Sequence, residues 1–261
     1  MTTTHQTAIS AKPLACRYEG SSGLVLAAGA GRRLRPHTAT LPKPLVALHD
    51  GSTVLERILA NFGSVGIEQA TIVVGYCSEA IRTRLSELER SSGLTLDLID
   101  NPHGETRNNA YSLWCARDVL HDGVLLVNGD TLHPSSVQHA LLADARDRIT
   151  LAVDTSKVLG DEEMKVDAVE GRLTAIGKQL PHDSFGEYIG VAWIPPAAAT
   201  PLVASLERVW RRDADSFYEA AFQDMLSDGV AIDLKPIGVV DWIEIDNLDD
   251  LARANGLICP S

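Results

Sequence analysis

The chain has 261 residues, 45% of them hydrophobic and 22% charged, enough for a sizeable core in one large domain or two small ones. A formal net charge of −12 excludes broad contact with nucleic acid or an anionic membrane, so any anion bound must be met locally. The four cysteines, Cys16, Cys77, Cys115 and Cys259, form no CxxC pair, which points to free thiols in a reducing, cytoplasmic setting, and no apolar run approaches the roughly 20 residues that span a bilayer.

Residues 1–22 lack the apolar core of a signal peptide and are expected to form a flexible extension. Leu24–Ala28 then reads as a buried strand. It runs into Gly29-Ala30-Gly31, the arginines Arg32, Arg33 and Arg35, and Pro42-Lys43-Pro44. Glycines let backbone amides approach an anion closely, and the cations neutralise it. On an acidic chain this basic segment predicts a polyphosphate site.

A helix is expected over 53–63, with Ser52 and Thr53 as cap candidates. A buried strand follows at 70–76, a helix over 78–91 with Ile81, Leu85 and Leu88 on one face, and a strand at 94–99. Residues 108–120 read as a helix beginning in asparagines, and 123–130 as a strand ending in a carboxylate. Strands alternating with helices imply a mostly parallel sheet covered on both faces, with ligands at the carboxyl ends of its strands. Gly29 and Asp130 both follow strands and should share that edge.

Beyond residue 150 the pattern turns mixed. Strands are expected at 149–154, 188–194, 232–237 and 242–245. A hairpin is expected over 164–178 with Glu170-Gly171 as its turn. Helices are expected over 200–210 and 216–227, and from about Leu248 onward. The division near residue 150 is soft, and one continuous sheet is expected.

Three physical readings of the glycine segment compete. A dinucleotide site wants G-x-G-x-x-G, but the third glycine position is Leu34. A P-loop wants G-x-x-x-x-G-K-[ST], which is absent. A plain tight turn with solvated arginines leaves Lys43 between two prolines unexplained. Asp130 and Asp246, taken singly, read equally well as turn or cap residues. Asp249 and Asp250 fit the first turn of the last helix, where they favour its dipole.

The stretch LAAGAGRRLRPHTATLPKPL resembles the signature of the nucleotidyltransferases that activate sugar phosphates and similar phosphoesters. The resemblance implies a Rossmann-like, GT-A-type α/β fold over 23–258. The nucleotide half would lie at about 23–150 and the acceptor half at about 151–258. It implies that Asp130 and Asp246 jointly hold Mg²⁺, a hard cation suited to carboxylate oxygens. It implies catalytic roles for Lys43, Arg33, Asp130 and Asp246. The nucleotide would lie against Leu26, Ala27, Ala28, Gly29, Gly31, Arg32, Arg33, Lys43, Tyr76, Asn109, Ser112 and Asn128.

The segment Arg107-Asn-Asn-Ala-Tyr-Ser-Leu-Trp114 is similar to the small CTP-using branch, the phosphocholine, phosphonate and inositol-phosphate cytidylyltransferases. Met164-Lys165-Val166, Gly186–Gly190 and Trp242–Asp246 extend the match. On this resemblance Arg107, Asn108, Tyr111, Lys165, Lys178, Glu187 and Tyr188 would contact the acceptor. Physical readings stay open beside it: Tyr111 and Trp114 as helix packing, the asparagines as caps, the lysines as surface. A choline headgroup would want an aromatic cage. Aromatics are only 5% of the chain, while Arg107, Lys165 and Lys178 favour a small anionic acceptor such as a phosphonate.

The expected reaction is transfer of CMP from CTP to that acceptor, with pyrophosphate leaving. Hexose 1-phosphate with dTTP or UTP, a catalytically silent nucleotide-binding subunit and a nicotinamide dehydrogenase stand as alternatives. No nucleic-acid or membrane partner is expected, and a homodimer is left open beside a monomer.

Overall fold

The computed structural model describes residues 21–143 and 147–258. The expected extension and the thiols Cys16 and Cys259 thus lie outside the described residues, apart from Ser21 and Ser22.

The chain opens with strand β1 (Ser22–Ala27), whose side chains alternate between two cores. Val25 and Ala27 join one apolar cluster, Leu24 and Leu26 the other. That alternation is why one hydrophobic run can serve both faces of a sheet. β2 (Gln69–Val74), β3 (Thr95–Asp100) and β4 (Val124–Asn128) pair with it in parallel, in the order β3-β2-β1-β4. Helix α1 (Val54–Ser64) starts at a reciprocal capping box. The Glu56 amide donates to Thr53 Oγ1 at 3.3 Å and the Thr53 amide to Glu56 Oε2 at 2.7 Å. α2 (Ser78–Ser92) ends on Gly93 in the left-handed conformation.

The second half widens this sheet as expected, and among the described residues the sheet has nine strands. β6 (Thr150–Asp154), β7 (Lys165–Val169), β8 (Arg172–Gly177), β9 (Gly186–Ile194) and β10 (Asp233–Pro236) extend the order as β4-β9-β6-β10-β8-β7. β9 runs antiparallel to both β4 and β6, which produces the mixed part. The β7–β8 hairpin turns at Glu170 and Gly171, with φ of 52° and 75°, as the sequence suggested.

Helices α3 (Asn109–Cys115), α5 (Pro196–Arg212) and α6 (Glu219–Ser227) cover the face carrying Leu24 and Leu26. α1, α2, α4 (Ser135–Ala143) and α7 (Leu248–Ile258) cover the other. The expected helix over 108–120 is shorter: α3 stops at Cys115 and a separate 3-10 turn spans Val119–Asp122. α4 and the two-residue strand β5 (Thr131–Leu132) had no expectation from sequence. β5 pairs antiparallel with β11 (Ile243–Glu244), Thr131 opposite Glu244, in a ribbon apart from the main sheet. No helix of the described residues is long and apolar enough to cross a membrane.

Candidate active site

Two adjoining clefts of about 410 and 310 Å³ open at the carboxyl ends of β1 and β4. They share Leu26, Gly29, Arg33, Gly129, Asp130 and Asp246, so the basic segment and both aspartates meet there.

The basic segment is shaped by its small residues. Gly31 sits at φ 54°, and an added Cβ would lie 3.0 Å from Lys43 Cβ and 3.2 Å from Thr38 Cγ2. Thr38 Oγ1 donates to the Gly31 carbonyl at 2.7 Å, folding the loop back on itself. A 3-10 turn over Lys43–Leu45, with Pro42 before it and Pro44 inside it, aims Lys43 inward. Gly129 admits the opposite wall: a Cβ there would stand 2.5 Å from the Leu26 carbonyl oxygen and 2.8 Å from Pro44 Cγ. This close approach delivers Asp130 to the lysine.

Lys43 Nζ donates to Asp130 Oδ2 at 2.7 Å and to Asp246 Oδ1 at 2.6 Å. Arg33 pairs with the second Asp246 oxygen at 2.8 Å. Burial opposes the charge on Lys43, but Asp130 and Asp246 hold its pKa well above the usual lysine value. Burial alone would raise the Asp246 carboxyl, yet Lys43 and Arg33 keep it below the usual carboxylate range.

Asp246 reaches this point through the β5–β11 ribbon, whose Ile245 amide donates to the Asp130 carbonyl at 3.0 Å. Asp250, in the first turn of α7, accepts from the Asp246 and Asn247 amides, as its expected place implies. Glu244 joins the aspartates, and one oxygen from each of the three carboxylates lies within 4.8 Å of the others. It keeps a path to solvent along the cleft. The surrounding protein still strips its hydration, and with repulsion from Asp130 and Asp246 this pushes its carboxyl up to about 8. Asp130 Oδ1 is buried and has no hydrogen-bond partner. A set of hard oxygens with one acceptor unsatisfied fits a divalent cation such as Mg²⁺.

Sequence reasoning missed Glu244. The signal was present in Trp242-Ile-Glu-Ile-Asp246, because residues two apart on a strand share a face.

The larger cleft also gathers Ala28, Arg107, Asn108, Asn109, Ser112, Asn128, Lys178 and Tyr188, and the smaller one Ala27, Gly31, Arg32 and Lys43. Asn108 caps α3. Asn109 Oδ1 accepts from the Tyr218 amide at 2.8 Å. Ser112 Oγ accepts from buried Asn101 at 2.9 Å. The Arg107 guanidinium lies 4.5 Å from the Tyr111 ring centre and 4.6 Å from that of Trp210. The hydroxyls of Tyr188 and Tyr218 meet at 2.9 Å, and Tyr218 donates onward to Asn128 Oδ1 at 3.0 Å.

Four residues expected at the ligands lie elsewhere. Tyr76 stands outside both clefts, and its hydroxyl donates to the Thr38 and Ala39 carbonyls, pinning the basic loop from behind. Tyr111 belongs to an aromatic cluster with His103, Trp114 and Trp210. Lys165 is fully buried, with Nζ donating to the carbonyls of Gly160 at 2.6 Å and Lys178 at 2.7 Å, so it holds the hairpin in place. Glu187 faces a third recess beside Trp242, which borders the larger cleft through Arg33, Glu162, Glu244 and Asp246, and it pairs there with Lys157 at 2.8 Å. In the last two, strand alternation set the face but not which side of the β7–β9 junction the side chain would meet.

Residues 23–222 match the family of MobA-like NTP transferase domains. The chain belongs to this family. As such an NTP transferase domain it is a nucleotidyltransferase, with the Rossmann-like α/β fold expected. It is 27% identical over 246 residues to CMP-5'-(3-aminopropyl)phosphonate synthase of Streptomyces rubellomurinus, an alignment covering 91% of this chain and 38% of that protein. It is 31% identical over 109 residues to 2-aminoethylphosphonate cytidylyltransferase of Lancefieldella rimae, covering 42% of each. The matched region is thus about two fifths of the length of these curated relatives. Two solved structures share the fold. The inositol-1-phosphate CTP transferase of T. maritima has a TM-score of 0.78 at 24% identity, covering 92% of this chain and 94% of that one. The phosphocholine cytidylyltransferase of Streptococcus pneumoniae has a TM-score of 0.72 at 21% identity, covering 92% and 99%.

Proposed function

We propose that this domain is a Mg²⁺-dependent cytidylyltransferase that transfers CMP from CTP to a small phosphonate or phosphate monoester and releases pyrophosphate. The observation that carries the reading is the convergence of Lys43 and Arg33 with Asp130, Glu244 and Asp246 where the two clefts join. Similarity along nearly the whole chain to a CMP-phosphonate synthase supports the choice of nucleotide and acceptor.

The nucleophile is an acceptor oxygen that already carries charge, so no general base is required. It attacks the α-phosphorus of CTP and the bond to the pyrophosphate oxygen breaks. The obstacles are repulsion between two anions and the need for in-line alignment, which positioned cations relieve. Arg32 and Arg33, at the mouth of the smaller cleft, offset the triphosphate charge. Lys43 sits at the junction, where it can neutralise the α-phosphate and the incoming oxygen together. Asn109, Ser112 and Asn128 offer polar groups to the nucleotide from the larger cleft, while Arg107, Lys178 and Tyr188 line the acceptor end. Asp130, Glu244 and Asp246 would hold Mg²⁺, which when bound supplies Lewis-acid stabilisation of charge on the α-phosphate.

The test is pyrophosphate release from CTP, UTP, dTTP and GTP, each offered with 2-aminoethylphosphonate, phosphocholine, inositol 1-phosphate and glucose 1-phosphate. CTP with the phosphonate should be fastest. Preference for a hexose phosphate with UTP or dTTP would sink the proposal.

A further inference from the structure

Glu219 begins α6 and lines the larger cleft with only 4% of its surface exposed. Its Oε2 is buried and has no hydrogen-bond partner. Burial is only partly offset by its own backbone amide, the Tyr218 hydroxyl and Lys178, and its carboxyl is pushed up to about 7. Lys178 makes no ion pair with it: the ammonium pairs with exposed Glu162 at 3.3 Å and lies 5.2 Å from the Phe217 ring centre. A buried carboxylate without a cation is expensive to keep, and proteins keep such groups chiefly where a ligand completes them.

The cleft carries charge of both signs. Arg33, with Lys43 in the adjoining cleft, supplies positive charge at the junction. Asp215, Glu162 and Glu219 line the same cleft as Arg107, Lys178 and the rings of Tyr188 and Phe217, and Glu162 is paired with Lys178. These groups border one space of about 410 Å³, so a single small zwitterion can meet a cation and Glu219 at once.

We propose that Glu219 receives the ammonium group of the acceptor, making the preferred acceptor a primary aminoalkylphosphonate. The proposal rests on the cytidylyltransferase reading above and deepens it. The orphaned Oε2 needs an N–H donor that also carries positive charge. A primary ammonium supplies both, a quaternary ammonium supplies charge without a donor, and a sugar or inositol hydroxyl supplies a donor without charge. The aromatic rings beside it favour the same cation.

The test compares 3-aminopropylphosphonate, 2-aminoethylphosphonate, propylphosphonate and the N,N,N-trimethyl analogue with CTP and Mg²⁺. Wild type should prefer the primary amines over propylphosphonate by about a hundredfold or more in kcat/KM, carried mainly by KM, because a site built for a donor rejects the analogue lacking it. The trimethyl analogue should rank well below the amines. Glu219→Gln should collapse the amine-to-propyl ratio, and Glu219→Asp should restore part of it, with circular dichroism confirming that each variant folds. Equal use of propylphosphonate by wild type overturns the inference whatever the variants do, and so does an amine preference that survives in folded Glu219→Gln. Turnover of no phosphonate at all overturns the cytidylyltransferase reading and this inference with it.

Discussion

Lys43→Ala acts on two quantities in opposite directions. Lys43 Nζ lies 2.7 Å from Asp130 and 2.6 Å from Asp246, and its side chain is only 13% exposed. In turnover, the variant loses a positioned cation at the junction. Removal of one such transition-state contact costs about 2.7–4 kcal/mol, so kcat should fall by roughly a hundred- to a thousandfold. In cation binding, the same change frees two carboxylates from an internal competitor. Both pairs are partly open to solvent, so each is worth no more than about 1 kcal/mol. Their release should tighten divalent-cation binding by up to roughly thirtyfold, where about 1.4 kcal/mol is tenfold. Stopped-flow pyrophosphate release with CTP and 2-aminoethylphosphonate reads the first quantity. Titration with Mn²⁺ followed by electron paramagnetic resonance reads the second. Near-normal turnover would refute the assigned role. Weaker Mn²⁺ binding would refute the view that Lys43 occupies the carboxylates in the cation's place.

Asp130→Asn should lower turnover at least about a hundredfold, and unlike Lys43→Ala it should weaken Mn²⁺ binding in the same titration. Lys165→Met should unfold at lower urea without a marked change in acceptor KM. It loses two charged hydrogen bonds to backbone carbonyls, each worth about 1.5–3 kcal/mol. Thr53→Ala should cost about 1 kcal/mol of stability through loss of the α1 cap, read as a shifted urea midpoint with kcat unchanged. Glu219→Gln should also show a pH signature. Burial raises the Glu219 carboxyl from 4.5 in the unfolded chain to about 7, so the folded state holds that proton more tightly. Native stability from this group is therefore complete below pH 4.5 and is lost as pH rises towards 7. The stability of the glutamine variant relative to wild type should grow by up to about 3 kcal/mol between pH 4.5 and 8. Parallel pH profiles for the two proteins would show that Glu219 is not buried as described.

The nucleotide half was legible because its chemistry is local. Gly29, Gly31, Arg33 and Lys43 follow one another along a single loop, and the strand before it announces itself as an apolar run. Asp130 was legible as the carboxylate closing the fourth apolar run, although the strand itself stops at Asn128. The acceptor half is assembled from residues distant in sequence, and there local pattern could not say which cavity a side chain meets. Lys165 sits in the expected hairpin yet faces its joint, and Glu187, one residue before the expected start of its strand, faces a neighbouring recess. Tyr111 sits on the expected helix but turns to Trp114 and Trp210. Glu219 was passed over because a glutamate near a helix start ordinarily faces water. Only the tertiary packing of α6 on α5 and β8, with Tyr188 and Tyr218 buried beside its start, takes it inside. α4 and β5 escaped notice because neither carries a strong period, and β5 is two residues long.

The β5–β11 ribbon has a consequence for the order in which the chain becomes competent. Two residue pairs, Leu132 with Ile243 and Thr131 with Glu244, join Asp130 to a partner encoded far downstream. All the parallel pairings among β1 to β4 can close before that partner has been synthesised. Contacts this distant in sequence carry the larger loop-closure cost. A growing chain can therefore hold its nucleotide loop in place while Lys43 still lacks one of its two carboxylates. The ribbon acts as a latch that arms the centre only once the C-terminal segment has docked.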